Sequence, residues 1–171
     1  VLVAQETRHH NGPYVFRARP GGSKYERTCE IRSCHEKKMR STSSLYLYVT
    51  ATKKGATPEL LAALPFVSVN LSVMALCRMR GIETRDEALS VILGDEQAAQ
   101  ARLLASILDK DITADMSLEE LYEHVGREGT REATPERRRR YLEHIINSEV
   151  LPHQGLTATP EVRRAKAFYL G

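Results

Sequence analysis

Five side chains within residues 9–35 have metal-binding chemistry: His9, His10, Cys29, Cys34 and His35. Structural zinc sites present two close ligand pairs, such as a repeated Cys-x-x-Cys. Here Cys29 and Cys34 are separated by four residues and no second pair follows. The expectation is a small core cysteine and a His-His turn, with no metal. Nucleophilic catalysis has no better support. There is no Gly-x-Ser-x-Gly elbow, no cysteine in a convincing setting and no Gly-rich phosphate loop, Gly21-Gly22 being only a turn. Asp109-Lys110-Asp111 comes nearest to an acidic metal cluster and reads as a helix end. A self-contained active site is not expected.

Two basic runs remain. Arg137–Arg140 lie on a predicted helix, so the four point around its whole circumference and cannot line one groove. Glu136 with Arg140, and Arg139 with Glu143, have the i, i+4 spacing of helix ion pairs. The stem of Arg138 is placed to cover the apolar stripe of Leu142, Ile145 and Ile146. The run reads as a salt-bridged helix face. The stretch RSCHEKKMR, residues 32–40, leaves a strand, and Arg32, Lys37, Lys38 and Arg40 are the candidates for contact with nucleic-acid phosphates. Aromatics are not interleaved with them, which argues against base stacking on a single strand. The plainer alternative is a charged hairpin tip.

The charge is unevenly distributed. Residues 1–57 hold 11 Lys and Arg against 4 Asp and Glu, a formal +7, and residues 58–171 hold 14 against 18, a formal −4. A basic half beside an acidic half is a potential electrostatic footprint for nucleic acid. With 42% hydrophobic and 27% charged residues, the 171-residue chain has the composition of one globular domain, with or without a small appendage. An odd count of 3 cysteines suits free thiols in a reducing compartment. No secretory leader is visible, and both ends look cut, as in a fragment of a longer chain.

The elements that must position these residues change character midway. Val1–Gln5, Tyr14–Arg19, Arg27–Arg32 and Leu45–Thr50 read as strands, with Asn11-Gly12 and Pro20–Ser23 as turns. In the third of these strands, Cys29 and Ile31 face one way and Glu30 and Arg32 the other. In the fourth, Leu45, Leu47 and Val49 oppose Tyr46 and Tyr48, which are expected to be exposed. Lys53–Pro58 reads as a loop. Glu59–Phe66 is ambiguous, since Leu and Ala favour a helix that Pro65 would cut short. The apolar run from Leu64 to Gly81 predicts a buried helix over 70–81, capped by Asn70 and stopped by Gly81, around which the fold packs. It is too short and interrupted to span a bilayer. Helices follow: one after the Thr84/Glu87 capping box, one from Asp95, one from the Ser117/Glu120 capping box to Gly126, one from Thr134-Pro135 to Pro152, and one from Thr159-Pro160. The expected class is α+β, with a strand-rich part over 1–66 and a helical part over 67–171.

Taken in order, several stretches resemble the second-largest subunit of multi-subunit DNA-directed RNA polymerases, the eukaryotic and archaeal relative of the bacterial β subunit. Val1–Glu6 is similar to a strand entering that subunit's lobe domain, and Tyr14-Val15-Phe16 follows where the family has its own Val-Phe strand. Glu30-Ile31-Arg32-Ser33 with Glu36, Arg40 and Ser43-Ser44-Leu45 matches the most characteristic lobe motif. Leu64-Pro65-Phe66, then Arg78, Gly81 and Ile82, bracket the buried helix. Leu151-Pro152-His153 and Lys166–Gly171 match the domain's exit. Cys77-Arg78-Met79-Arg80-Gly81 departs from the family's Phe-Arg-Ala-Leu-Gly, and Leu71-Ser72 from its Ile-Pro, which suggests a divergent lineage, viral ones included.

The resemblance covers nearly the whole chain and implies a role without local chemistry. The lobe would form part of one jaw of the DNA cleft near downstream duplex. It would also dock a small zinc-bearing subunit and initiation factors beside the largest and smaller polymerase subunits. The catalytic Mg²⁺ and its aspartates would belong to the largest subunit, so no cofactor is expected in this fragment. No membrane is implied, and the place of work would be the nucleus or cytoplasm, or a virion for a viral lineage. The alternative is a protein-docking scaffold without DNA contact, supported by the acidic helical half and by Tyr46 and Tyr48.

Overall fold

A computed structural model describes residues 12–17, 24–34, 42–50, 57–93 and 98–152. Five strands come first: β1 (Gly12–Arg17), β2 (Tyr25–Cys34), β3 (Thr42–Thr50), β4 (Leu60–Ala63) and β5 (Asn70–Ser72). They form one antiparallel sheet in the order β1-β2-β3-β4-β5, each pairing with its neighbour in sequence. Helices α1 (Val73–Met79), α2 (Arg85–Leu93), α3 (Ala98–Leu108), α4 (Leu118–Gly129) and α5 (Pro135–Ser148) follow, with a 3-10 turn at Ile112–Ala114 before α4. The α+β class expected from the sequence is the one observed. The expected strand at Val1–Gln5, the start of the Asn11-Gly12 turn, the opening of a helix at Asp95 and the helix from Thr159 lie outside the described residues.

The ambiguous stretch at Glu59–Phe66 is a strand. Leu60–Ala63 pairs on one side with Val49–Tyr46 and on the other with Asn70–Ser72. Pairing on both edges overrides the helical preference of Leu and Ala, which is only a few tenths of a kcal/mol per residue, on the order of thermal energy. The same pairing corrects the start of the buried helix. Asn70 is held in β5, where its side-chain amide donates to the Tyr25 hydroxyl at 2.8 Å. The cap is Ser72, whose hydroxyl accepts from the Ala75 amide at 3.0 Å, so α1 begins at Val73. The change from strand to helix therefore falls between Ser72 and Val73.

Six of the seven residues of α1 are buried: Val73, Met74, Ala75, Leu76, Cys77 and Met79. Ile31, Leu45, Ala62 and Leu71 meet them from the inner face of the sheet, and Leu108, Leu121, Leu142 and Ile146 from the helices. Gly81 ends this segment with φ +91°. A Cβ there would meet nothing within 4 Å, so the requirement for glycine is conformational. Arg78 and Arg80 leave the same helix and fasten it to its surroundings. The Arg78 guanidinium donates to the carbonyls of Thr113, at 2.7 Å, and Met116. Arg80, itself buried, donates to the carbonyls of Ile146 at 3.2 Å and Val150 at 3.3 Å.

The starts of α2, α4 and α5 follow the sequence. Ser117 and Glu120 make the reciprocal capping box of α4, and Thr134 with Pro135 opens α5. Thr84 accepts from the Glu87 amide at 3.2 Å, while the Glu87 carboxylate accepts from the amide of Glu83, so that box closes one residue early. Helix ends follow it less well. α4 runs through Gly126 to Gly129, because Gly126 is needed for close packing: a Cβ there would lie 2.9 Å from Cβ of Arg138 on α5. α5 stops at Ser148, and the chain turns at Leu151 (φ +55°) before Pro152 is reached.

Two stability changes are expected. Leu76→Ala leaves a cavity at the centre of the core and lowers unfolding free energy by about 2–5 kcal/mol. Gly129→Ala places a methyl 2.7 Å from Cγ1 of Val67 and lowers it by about 1–3 kcal/mol, despite the better helix propensity of alanine. Urea denaturation of each variant beside the parent measures both.

Candidate interaction face of the sheet

The two faces of the sheet differ in chemistry. Cross-strand partners share a face, so the register collects side chains that are distant in sequence. Tyr14 opposes Glu30, Glu30 opposes Tyr46, Arg32 opposes Ser44 and Thr28 opposes Tyr48. A register shift between Tyr25 and Arg27 turns Tyr25 onto the same side. The outer face thus gathers Tyr14, Tyr25, Tyr46 and Tyr48 around Glu30 and Arg32.

Glu30 sits at the centre of this face and is 8% exposed. Arg32 clamps it through two bonds, Nε to Oε1 and Nη2 to Oε2, both 2.9 Å. The hydroxyls of Ser44 and Tyr46 also donate to Oε1, at 3.0 and 3.2 Å. Arg32, foremost, with Ser44 and Tyr46, holds the carboxyl below the usual carboxylate range against the opposing effect of burial. The Arg32 guanidinium also lies over the Tyr14 ring, 4.7 Å from its centroid. Tyr25 stacks on Tyr48 with centroids 4.3 Å apart and planes 19° apart, and Tyr46 continues the row at 6.2 Å and 5°. Lys24 stands 5.7 Å from the Tyr25 centroid.

Arg32 is therefore placed, and its fork is engaged by Glu30. Lys37, Lys38 and Arg40 lie outside the described residues, in the connection between β2 and β3. Tyr46 and Tyr48 do point away from the core, but their mutual stacking leaves them half-buried where the sequence predicts exposure. Tyr14 and Tyr25 were not candidates in the sequence. Their only signal there is a tyrosine in two more strands, and strand register alone joins them to the others.

No other site of chemical convergence is present among the described residues. No group of three His, Cys, Asp or Glu side chains could hold a metal ion there. Cys29 and Cys34 differ by an odd number of positions along β2 and so point to opposite faces. Burial raises the Cys29 thiol and pushes that of Cys77 up to about 12, so neither forms a nucleophilic thiolate near neutral pH. Asp111 caps the 3-10 turn, its carboxylate accepting from the amide and hydroxyl of Thr113. A cavity of about 600 Å³ beside β4 and α3 has apolar walls at Leu60, Leu61, Val73, Leu108 and Ile112, with Glu59, Ser72, Lys110 and Asp111 also lining it. In the Arg137–Arg140 run, Arg139 pairs with Glu143 at 2.9 Å as the spacing predicts, and also with Glu119 of α4 at 3.5 Å. Arg138 reaches Glu123 of α4 at 2.9 Å, so the run staples the two helices together. No described helix is long and apolar enough to cross a membrane.

The described residues thus form an antiparallel sheet with an ordered polar-aromatic outer face, backed by helices on its inner side. No family model matches the chain. Along its whole length it is similar to DNA-directed RNA polymerase II subunit 2 of Arabidopsis thaliana, 29% identical over 177 residues that make 15% of that protein. The RPB2 subunits of Schizosaccharomyces pombe and Eremothecium gossypii are 29% and 28% identical, again over 100% of this chain and 14% of theirs. The likeness to the second-largest polymerase subunit read from the sequence is found along the whole chain, which spans about a seventh of the length of the relatives it matches.

The Glu30 carboxyl gives a pH test. Its folded-state pKa is depressed, so its contribution to stability is present above the ordinary carboxylate range and is lost as pH falls through the folded value. Glu30→Gln is expected to destabilise the domain at neutral pH and to flatten its loss of stability on acidification. Thermal melts of both proteins from neutral pH down to the acid range read the two effects.

Proposed function

We propose that the chain is the lobe domain of the second-largest subunit of a DNA-directed RNA polymerase. The observation that carries this reading is similarity to that subunit over the whole chain, with the motifs in the family's order. In this role the domain is a non-catalytic part of a nucleotidyltransferase complex. It shapes the DNA cleft near downstream duplex and docks neighbouring subunits and initiation factors, while another subunit binds the catalytic Mg²⁺. The matched relatives are eukaryotic, which supports work in the nucleus.

In this reading Lys37, Lys38 and Arg40, in the β2–β3 connection, are the main candidates for phosphate contact, and Arg32 contributes less. This division follows from charge. Arg32 shares its fork with Glu30 and attracts phosphate weakly, whereas residues 35–41 carry three Lys and Arg against one Glu. Contacts of this kind position the duplex and read no sequence.

The full-length subunit in its assembled polymerase provides the test. Lys37→Ala, Lys38→Ala and Arg40→Ala together are expected to weaken binding of downstream duplex. They should reduce the log–log salt slope by roughly 0.9 for each phosphate that is no longer neutralised. A slope equal to that of the parent removes the connection from the DNA path.

A further inference from the structure

Thr-Pro occurs at Thr57, Thr134 and Thr159, and only Thr134 has a basic residue, Arg137, two places beyond its proline. We propose that Thr134 is a phosphate-accepting site for a proline-directed protein kinase. The site belongs to one turn of surface and does not depend on the polymerase reading above.

Helix capping accounts for Thr134 and Pro135. It does not account for Arg137. The basic run of α5 divides by partner: Arg138 reaches Glu123, and Arg139 reaches Glu143 and Glu119. The Arg137 side chain is exposed and makes no ion pair among the described residues. A proline-directed kinase accepts proline after the acceptor because it brings no N–H to leave unsatisfied in the substrate groove. Members of that class that also read charge pair an acidic patch with a cation at the place Arg137 occupies.

Access favours the same residue. Thr134, Pro135, Glu136 and Arg137 are all exposed. The connection between α4 and α5 is not helical, and the residues that bound it are extended, Thr130 at φ −128°, ψ 161° and Thr134 at φ −107°, ψ 150°. A kinase grips an extended substrate, so the first turn of α5 must open. Its cap is long, the Arg137 amide donating to Thr134 Oγ1 at 3.4 Å, and Pro135 has no amide to lose. At Thr57 the hydroxyl accepts from Lys110, and Leu60 beyond it is held in β4.

In the transfer, Thr134 Oγ1 bonds to the γ-phosphorus of ATP as the bond to the β–γ bridging oxygen breaks. ADP leaves, and the hydroxyl proton passes to the base of the kinase. The phosphoryl group adds roughly −1.5 to −2 charges at neutral pH. Arg138 already donates to the carbonyls of Glu132 and Ala133, and so lies beside Thr134 together with Arg137. The modified first turn is therefore harder to open.

The full-length protein in its native assembly is incubated with a cyclin-dependent kinase and ATP, and phosphopeptides are mapped by mass spectrometry. Phosphate is expected on Thr134 and not on Thr57. Thr134→Ser, which keeps both cap and acceptor, should retain incorporation, and Thr134→Ala should abolish it. Arg137→Ala, a change at an exposed side chain, should lower the rate several-fold. Amides of residues 137 and 138 should exchange with deuterium several-fold more slowly after modification. No phosphate on Thr134, equal incorporation at Thr57, or a rate indifferent to Arg137→Ala overturns the site. Unchanged exchange in the modified protein overturns the tightening of α5.

Discussion

A seven-residue helix with almost no solvent side is the constraint on which this fold depends. A helix that is apolar nearly all round lowers the free energy only if it is covered from several directions. The sheet covers α1 from one side, and α4, α5 and the segment around Leu108 cover it from others. Arg78 in its last turn and Arg80 at its C-cap secure these layers. Their guanidiniums leave near the negative end of the helix and satisfy carbonyls that would otherwise be costly to bury. The strand half and the helical half are thus one cooperative body at α1, whatever their difference in charge.

The sheet that results is one-sided. Its inner face supplies Ile31, Leu45, Ala62 and Leu71 to the core, and its outer face carries tyrosines around a clamped glutamate. The clamp commits Arg32 to Glu30 and so sets it apart from Lys37, Lys38 and Arg40, with which it forms a single basic run in the sequence.

Much of this organisation was legible beforehand. Alternation along Leu45–Thr50 shows which residues face inward, since a strand's side chains have a period of two. Capping residues mark the starts of α4 and α5, because a hydroxyl beside free amides acts locally. The family resemblance was legible for a different reason: an ordered set of weak motifs is specific even at the 27–29% identity found with whole-chain relatives. What failed was local in signal but tertiary in cause. Asn70 has good capping chemistry, yet β4 claims it as a strand partner and Ser72 takes the cap. Gly126 has good stopping chemistry, yet the approach of Arg138 makes it a packing residue in mid-helix. Leu60–Ala63 prefers a helix, yet strands on both sides hold it extended.

Residue types and their spacing determined the α+β class, the apolar centre and the starts of α4 and α5, because each rests on interactions within a few positions along the chain. Only the tertiary structure decided that Tyr14, Tyr25, Tyr46 and Tyr48 form one surface and that Arg32 is committed to Glu30. Strand register did this, by bringing together residues up to 34 positions apart, from Tyr14 to Tyr48. A shift of one residue would have turned that set toward the core and left the face without its chemistry.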